Sequence, residues 1–406
     1  MQTNLADFVR SRPEHKELES ILRSCVHCGF CNATCPTYQL LGDELDGPRG
    51  RIYLLKQMLE GADTGPVTQL HLDRCLSCHS CETTCPSGVK YGRLLDLGRE
   101  IVEEKVPRSL LDQTKRRFML LVFPYRERFK WLIQLARLAK PFLPVAIREK
   151  IPDSQEVDFW PENNHLRKVL LLSGCVQPTL APEIDVAAAR VLDQFAISLI
   201  PVKSTGCCGA LNYHLSEHEK AKNLARKNID GCWPYIEQGA ESIIMTASGC
   251  GVTLKEYAVL LQYDPSYAAK AKQFSAMVKD ISEILLEEDI TLFKVKNIKV
   301  AFQSPCTLQH GQQLAGVVES ILQKIGYVLV DSDNSHLCCG SAGVYSLLQP
   351  QLSEQLRDNK LRDLHTEQAD CIATANIGCL THLQAKASIR VIHWIELLDR
   401  NKLELH

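Results

Sequence analysis

The chain has 406 residues, 45% of them hydrophobic and 23% charged, with a formal net charge of -2. That length exceeds what one core fills and allows two or three domains, the composition excludes extensive disorder, and the near-neutral charge excludes a general nucleic-acid binder. Eighteen cysteines stand out, and because Met1-Gln2-Thr3-Asn4 runs into the polar residues 11–19 in place of a secretory signal, we expect a reducing, cytoplasmic compartment where clustered thiols serve metal or redox chemistry.

The first elements in chain order are two cysteine runs. Cys25, Cys28, Cys31 and Cys35-Pro36 are repeated by Cys75, Cys78, Cys81 and Cys85-Pro86 with no change of spacing. Three thiolates at i, i+3 and i+6 wrap one corner of a cubane, and in two-cluster ferredoxins the fourth cysteine, displaced by the proline turn, ligates the other cluster. The expected sets are therefore Cys25, Cys28, Cys31 and Cys85 for one 4Fe-4S cluster, and Cys75, Cys78, Cys81 and Cys35 for the other. Zinc needs only two Cys-x-x-Cys pairs and gives no reason for a third thiol three residues on. Cys75-Leu76-Ser77-Cys78-His79 also fits a haem attachment pattern, but it is embedded in the longer run and haem attachment requires export; His27 and His79 are read as supporting or surface residues. A helix is expected at residues 49–59 between the runs, giving a helical module of residues 1–108.

Residues 109–165 form the next segment. Residues 111–150 carry ten Lys or Arg against three acids, interleaved with Phe118, Phe123, Phe129, Trp131 and Phe142. This reads as a basic amphipathic helical linker broken at Pro124, Pro141 and Pro144, suited to anionic lipid or to packing on protein. The longest apolar runs, residues 119–123 and 169–172, fall far short of the roughly 20 residues that cross a bilayer, so no transmembrane helix is expected.

From residue 168 onward short apolar strands alternate with helical patterns, an α/β signature. The segment is also a repeat: Cys175 is followed after 31 residues by Cys207-Cys208-Gly209, and Cys306 after 31 residues by Cys338-Cys339-Gly340, an offset of 131. Cys250 and Cys379 close the two units, expected to span residues 166–296 and 297–406. The apolar face Ile184, Ala187, Ala188, Val191, Leu192 and Phe195 recurs as Leu314, Val317, Val318, Ile321, Leu322 and Ile325, one helix face written twice. Strands are expected at residues 168–174 and 299–303, ahead of each cysteine pair, and at 242–247 and 371–375. If they run parallel, the thiols converge at the carboxyl edge of each sheet, where open α/β sheets place ligands, and the two edges are free to face each other. Cys232 and Cys371 have no counterpart in the repeat and read as buried apolar residues. No Gly-x-Gly-x-x-Gly follows a strand and no P-loop occurs, so neither flavin nor nicotinamide has an evident site.

The two units resemble the cysteine-rich CCG domains of heterodisulfide reductases and of several dehydrogenase iron-sulfur subunits. The order of two ferredoxin runs followed by two CCG domains is similar to that of glycolate oxidase iron-sulfur subunits, anaerobic glycerol-3-phosphate dehydrogenase subunits and lactate-utilisation proteins. Residues 25–31, 38–51 and 374–379 most resemble the glycolate group. The resemblance implies an α+β multidomain chain, a helical two-cluster ferredoxin domain followed by two homologous α/β CCG domains. It also implies a flavin-bearing glycolate-oxidising partner, a related companion subunit, and relay towards a membrane acceptor such as quinone, with the chain peripheral on the inner face of the cell membrane. Cys175, Cys207, Cys208, Cys250, Cys306, Cys338, Cys339, Cys379 and His382 become candidates for a third cluster or redox site. Heterodisulfide reductases continue each domain's last cysteine as Cys-x-x-Cys, whereas Thr253 and His382 stand at those positions here, so a five-thiolate cluster is not expected. A glycerol-3-phosphate or lactate subunit and a thiol-disulfide enzyme stay open as alternatives.

Overall fold

The computed structural model describes residues 1–142, 159–162, 164–293 and 297–399; the break expected at Pro144, the second half of the linker, the join between the two repeat units and the last seven residues lie outside them. Up to residue 142 the described residues are helical, without a strand. Helix α1 (His15–Ser24) shows Leu18, Ile21 and Leu22 to one side. Helix α2 (Pro48–Leu59), started by a proline at its first turn where no amide partner is needed, contains the stretch expected to be helical. Helix α3 (Tyr91–Lys105) closes the module. Leu18, Leu22, Ile52, Leu55, Leu59, Leu94, Leu95 and Ile101 make one dry core, each fully buried side chain stabilising by about 1.5–3 kcal/mol.

The linker is a helical pair, α4 (Leu110–Val122) and α5 (Arg126–Ala139), broken at Pro124 as expected. Pro141 does not end it cleanly but sits in a short 3-10 turn, Lys140–Phe142. Only Met119 and Phe129 are buried along α4 and α5.

The rest is two four-stranded sheets of identical topology. Strands β1 (Arg167–Leu171), β2 (Ile197–Pro201), β3 (Ser242–Met245) and β4 (Val278–Asp280) lie in the order β2-β1-β3-β4. Strands β5 (Lys299–Gln303), β6 (Val328–Leu329), β7 (Cys371–Thr374) and β8 (Val391–His393) lie in the order β6-β5-β7-β8. Every pairing is parallel. Successive strand residues face opposite sides: Val169 and Leu171 join Val300 and Phe302 in one core shared by both units, while Leu170 and Leu172 pack outward with Cys232 and Phe274, and Ala301 with Ile372. Burial on both faces explains why these strands read as unbroken apolar runs.

The repeated helix face needs one correction. In the first unit the helix α6 (Glu183–Asp193) starts before Ile184, but its counterpart α7 (Val317–Ile325) starts only after Leu314. Gln313 and Gly316 take positive φ, and a π turn at Thr307–Gly311 precedes them, so the chain bends where a longer helix was expected. Leu314 still packs against the shared core.

The carboxyl edges of the two sheets do face each other. The Ser248 N–H donates to Ala375 O (3.1 Å), Ser248 Oγ meets Thr307 Oγ1 (2.8 Å), and His393 Nε2 lies 2.8 Å from Thr246 O.

Candidate iron-sulfur site

The two ferredoxin-type loops enclose two neighbouring cavities. The first, of about 430 Å³ counting space open to solvent, is lined by Cys25, Cys28, Cys31 and Cys85. The second, of about 380 Å³, is lined by Cys35, Cys75 and Cys78. Cys81 lines both and forms the wall between them. The crossing arises because each proline that follows a fourth cysteine turns the chain: Cys35 and Pro36 face the second cavity, Cys85 and Pro86 the first. Burial pushes the Cys31 thiol up to about 11, with Cys25 beside it adding to the effect, and raises Cys25, Cys78 and Cys81 as well. Thiols held neutral in apolar walls bind iron only on losing their protons. His27 fits a supporting role: it lines the first cavity and its buried Nε2 has no partner among the described residues, leaving that nitrogen free to donate to a sulfur acceptor. Thiol sets, enclosed space and that donor all fit 4Fe-4S clusters.

His79, on the second cavity, is engaged by a neighbouring carboxylate. It bonds Glu82 (3.1 Å), and although burial disfavours its charged form, Glu82 with Glu256 and Asp96 pushes its pKa up to about 9. Two residues that sequence reasoning passed over matter more. Arg51, fully buried in the wall of the second cavity, donates to His71 O (2.7 Å) and to Thr37 Oγ1 (3.1 Å), with Nη1 3.9 Å from Cys35 Sγ. Asp46, also fully buried, meets Arg51 (3.4 Å), Arg74 (2.7 Å) and His71 (2.9 Å). The only hint in the sequence was an acid five residues ahead of an arginine inside a run too rich in Gly and Pro to be an ordinary solvated helix.

The repeat units bring their thiols together as expected. In the first, Cys207 interacts with Cys175 and Cys208, and Cys208 with Cys250. Neighbouring Cys207 and Cys250 hold Cys208 well below the usual thiol range. In the second, Cys306 and Cys338 sulfurs stand 3.7 Å apart and Cys339 links Cys338 to Cys379. The Cys-Cys-Gly turn requires its glycine: Gly209 and Gly340 have φ of +93° and +89°, and a Cβ on Gly340 would lie 2.6 Å from Ser353 O. Thr253 adjoins Cys208 in the first thiol group, with its hydroxyl donating to Gly249 O (3.4 Å). His382 does not join the second. It lies in the last turn of the helix Ile377–Gln384 and not at its start, with Nε2 3.2 Å from Ser353 Oγ. Cys232 is fully buried as expected, but Cys371 at the start of β7 is only partly buried because it opens an exposed strand end.

The modules meet in two ways. The first unit docks through polar pairs, His214 with Asp96 (3.1 Å) and His218 with Glu100 (3.1 Å). The second docks thiol to thiol: Leu76 and Cys78 share one dry cluster with Cys306, Cys338, Tyr345 and Leu356.

A helical dicluster module joined to a duplicated cysteine-rich α/β unit defines an iron-sulfur chain of an oxidoreductase complex. Residues 21–89 match the 4Fe-4S dicluster domain family, and residues 169–255 and 300–384 each match the Cysteine-rich domain family. The chain is 52% identical over 402 residues to the glycolate oxidase iron-sulfur subunit of Escherichia coli (strain K12), across 98% of this chain and 99% of that protein. It is 30% identical to the probable glycolate oxidase iron-sulfur subunit of Bacillus subtilis (strain 168), across 94% of each. Lactate utilization protein A of Halalkalibacterium halodurans is 25% identical over 58% of this chain and 98% of its own length. The chain belongs to the family of glycolate oxidase iron-sulfur subunits.

Proposed function

We propose that the chain is the electron-transfer subunit of a glycolate dehydrogenase. It takes electrons from a flavin-bearing subunit that oxidises glycolate to glyoxylate, with a related companion subunit completing the complex, and passes them towards a membrane acceptor such as quinone. Cys25, Cys28, Cys31 and Cys85 hold one cluster and Cys75, Cys78, Cys81 and Cys35 the other, within modules at residues 1–108, 109–165, 166–296 and 297–406. Clusters bound there supply the single-electron steps that a two-electron donor and a distant acceptor require. The reading rests on one observation: exposed Cys28 and Cys81 line the first cavity, Cys81 and Cys78 the second, and Cys78 shares a dry cluster with Cys306 and Cys338.

Anaerobic purification with the partner subunits tests it. Glycolate should bleach the cluster absorption only when the flavin subunit is present. Bleaching by lactate or glycerol-3-phosphate in its place would reassign the substrate, and disulfide turnover by the isolated chain would replace electron transfer by thiol chemistry. About eight irons per chain mean that the repeat units act as thiols, and about twelve that one of them holds a third cluster.

In this reading the α4–α5 pair carries the chain on the cytoplasmic face of the membrane. No helix among the described residues is long and apolar enough to cross a bilayer. Trp131, Leu135 and Leu138, spaced four and three apart on α5, are 60–74% exposed, and residues 110–140 carry eight Lys or Arg against two acids in a chain of net charge -2. An apolar stripe among cations suits an anionic interface. The full chain should co-sediment with phosphatidylglycerol-containing vesicles, less as salt rises, and Trp131→Glu with Leu135→Glu should abolish this; unchanged sedimentation of the double variant would remove the hairpin from the membrane.

A further inference from the structure

The two cysteine runs are identical in spacing but opposite in exposure. Leu76, next after the first cysteine of the second run, is 6% exposed, whereas Val26 at the same place in the first run is 67% exposed. Cys78 is buried and Cys28 exposed. Ser80 is fully buried, while Phe30, its counterpart, is 61% exposed. The second loop is covered because the second repeat unit sits on it, with Tyr345, Leu356, Cys306 and Cys338 closing over Leu76 and Cys78. The molecule thus contains its own example of what covers such a loop: an apolar surface with cysteine sulfur within it.

We infer that the bare first loop, centred on Val26, Cys28 and Phe30, is the port where the electron-donating partner docks. This rests on the electron-transfer reading above and adds which face receives the donor. A valine and a phenylalanine standing in water beside a cluster loop have no folding benefit, since the module's core is complete without them. They gain it when a second protein removes them from water. The edge of the patch is polar: Arg49 lies against Gly29 and pairs with Glu44 (2.6 Å). An apolar centre with a paired polar rim is the anatomy of a protein–protein contact. The partner is accordingly a subunit with an apolar surface over a two-electron cofactor of the flavin class. Its reduced cofactor is oxidised one electron at a time, the iron behind the loop is reduced by one electron each time, and the protons released remain with the partner. From this port the second cavity is reached through Cys81, which lines both.

The test uses the full chain, loaded with iron, with Phe30→Glu and Phe30→Ala, because Phe30 does not line the cluster cavity, and with Leu286→Glu as a control at an exposed site (53%) elsewhere. The loop variants should keep the wild-type iron content and the wild-type rate of reduction by dithionite. They should bind the purified partner subunits at least about tenfold more weakly, and cluster reduction by glycolate through those subunits should slow in proportion. Leu286→Glu should do neither. Wild-type affinity in the loop variants would overturn the port, as would an equal loss in the control. If glycolate fails to reduce even the wild-type chain in the complex, the functional reading is wrong, and the affinities still decide where the partner sits.

Discussion

Replacing Cys85 by serine should erase the same cluster signal as replacing Cys28, and replacing Cys35 should erase the same signal as replacing Cys78. Each variant should keep about four of eight irons in the dicluster module. Sets that kept each run to itself would instead make Cys35 share the fate of Cys28 and Cys85 that of Cys78. The cavity linings support the crossed sets expected from the spacing of the runs. Pro36 and Pro86 each begin or follow a turn that swings the fourth thiol out of its own loop, so Cys85 lines the cavity of Cys25, Cys28 and Cys31, and Cys35 lines that of Cys75 and Cys78. Burial favours the neutral forms of Cys25 and Cys31 in one set and of Cys78 and Cys81 in the other. A lone missing thiolate therefore leaves the other three without the iron that made their ionisation worthwhile, and loss of the whole cluster is expected in place of a weakened one. Electron paramagnetic resonance of the four reduced variants sorts them into two pairs. A pairing of Cys85 with Cys78 would refute the crossed assignment.

What was legible in the sequence was whatever short-range spacing encodes. The Cys-x-x-Cys runs, the offset of 131 and the buried-strand runs all express local geometry, so cysteine identity, the helical module and the duplicated parallel sheets could be read directly. The unread parts are long-range. Nothing local distinguishes Val26 from Leu76, because their difference in exposure comes from a unit more than two hundred residues away. Leu314 matched the helix face by type, but Gln313 and Gly316 adopt positive φ and delay the helix, a choice made by the π turn before them. His382 aligned with a family cysteine, yet its Nε2 meets Ser353, a residue 29 positions earlier on another helix. The Asp46–Arg51 pair was hidden for a related reason: charged residues read as surface until a third element, here His71 and Arg74 from beyond the second helix, closes over them.

That buried pair gives the largest stability effect expected outside the cysteines. Asp46 is enclosed by Arg51, Arg74 and His71, and its carbonyl accepts from Thr37 Oγ1 (2.8 Å), which ties the first cysteine run to the start of the second. Asp46→Ala would strand the Arg51 guanidinium in a dry wall with only the His71 carbonyl, Thr37 and Cys35 as company. Removing one partner of a buried ion pair costs about 3–5 kcal/mol, a large share of the roughly 5–15 kcal/mol by which domains are stable. Arg51→Leu should cost less, because Asp46 would keep Arg74 and His71. Its distinctive effect would fall on the second cluster instead. Withdrawing a cation and an N–H donor from beside Cys35 sulfur favours the oxidised, less negative form, so the reduction potential of that cluster should fall while the first is unmoved. Denaturant unfolding of the Asp46 variant and redox titration of the Arg51 variant measure the two effects separately. If Asp46→Ala unfolds no more readily than Arg51→Leu, the carboxylate is not what holds the guanidinium in place; if both clusters shift equally in Arg51→Leu, Arg51 acts through the fold and not through Cys35.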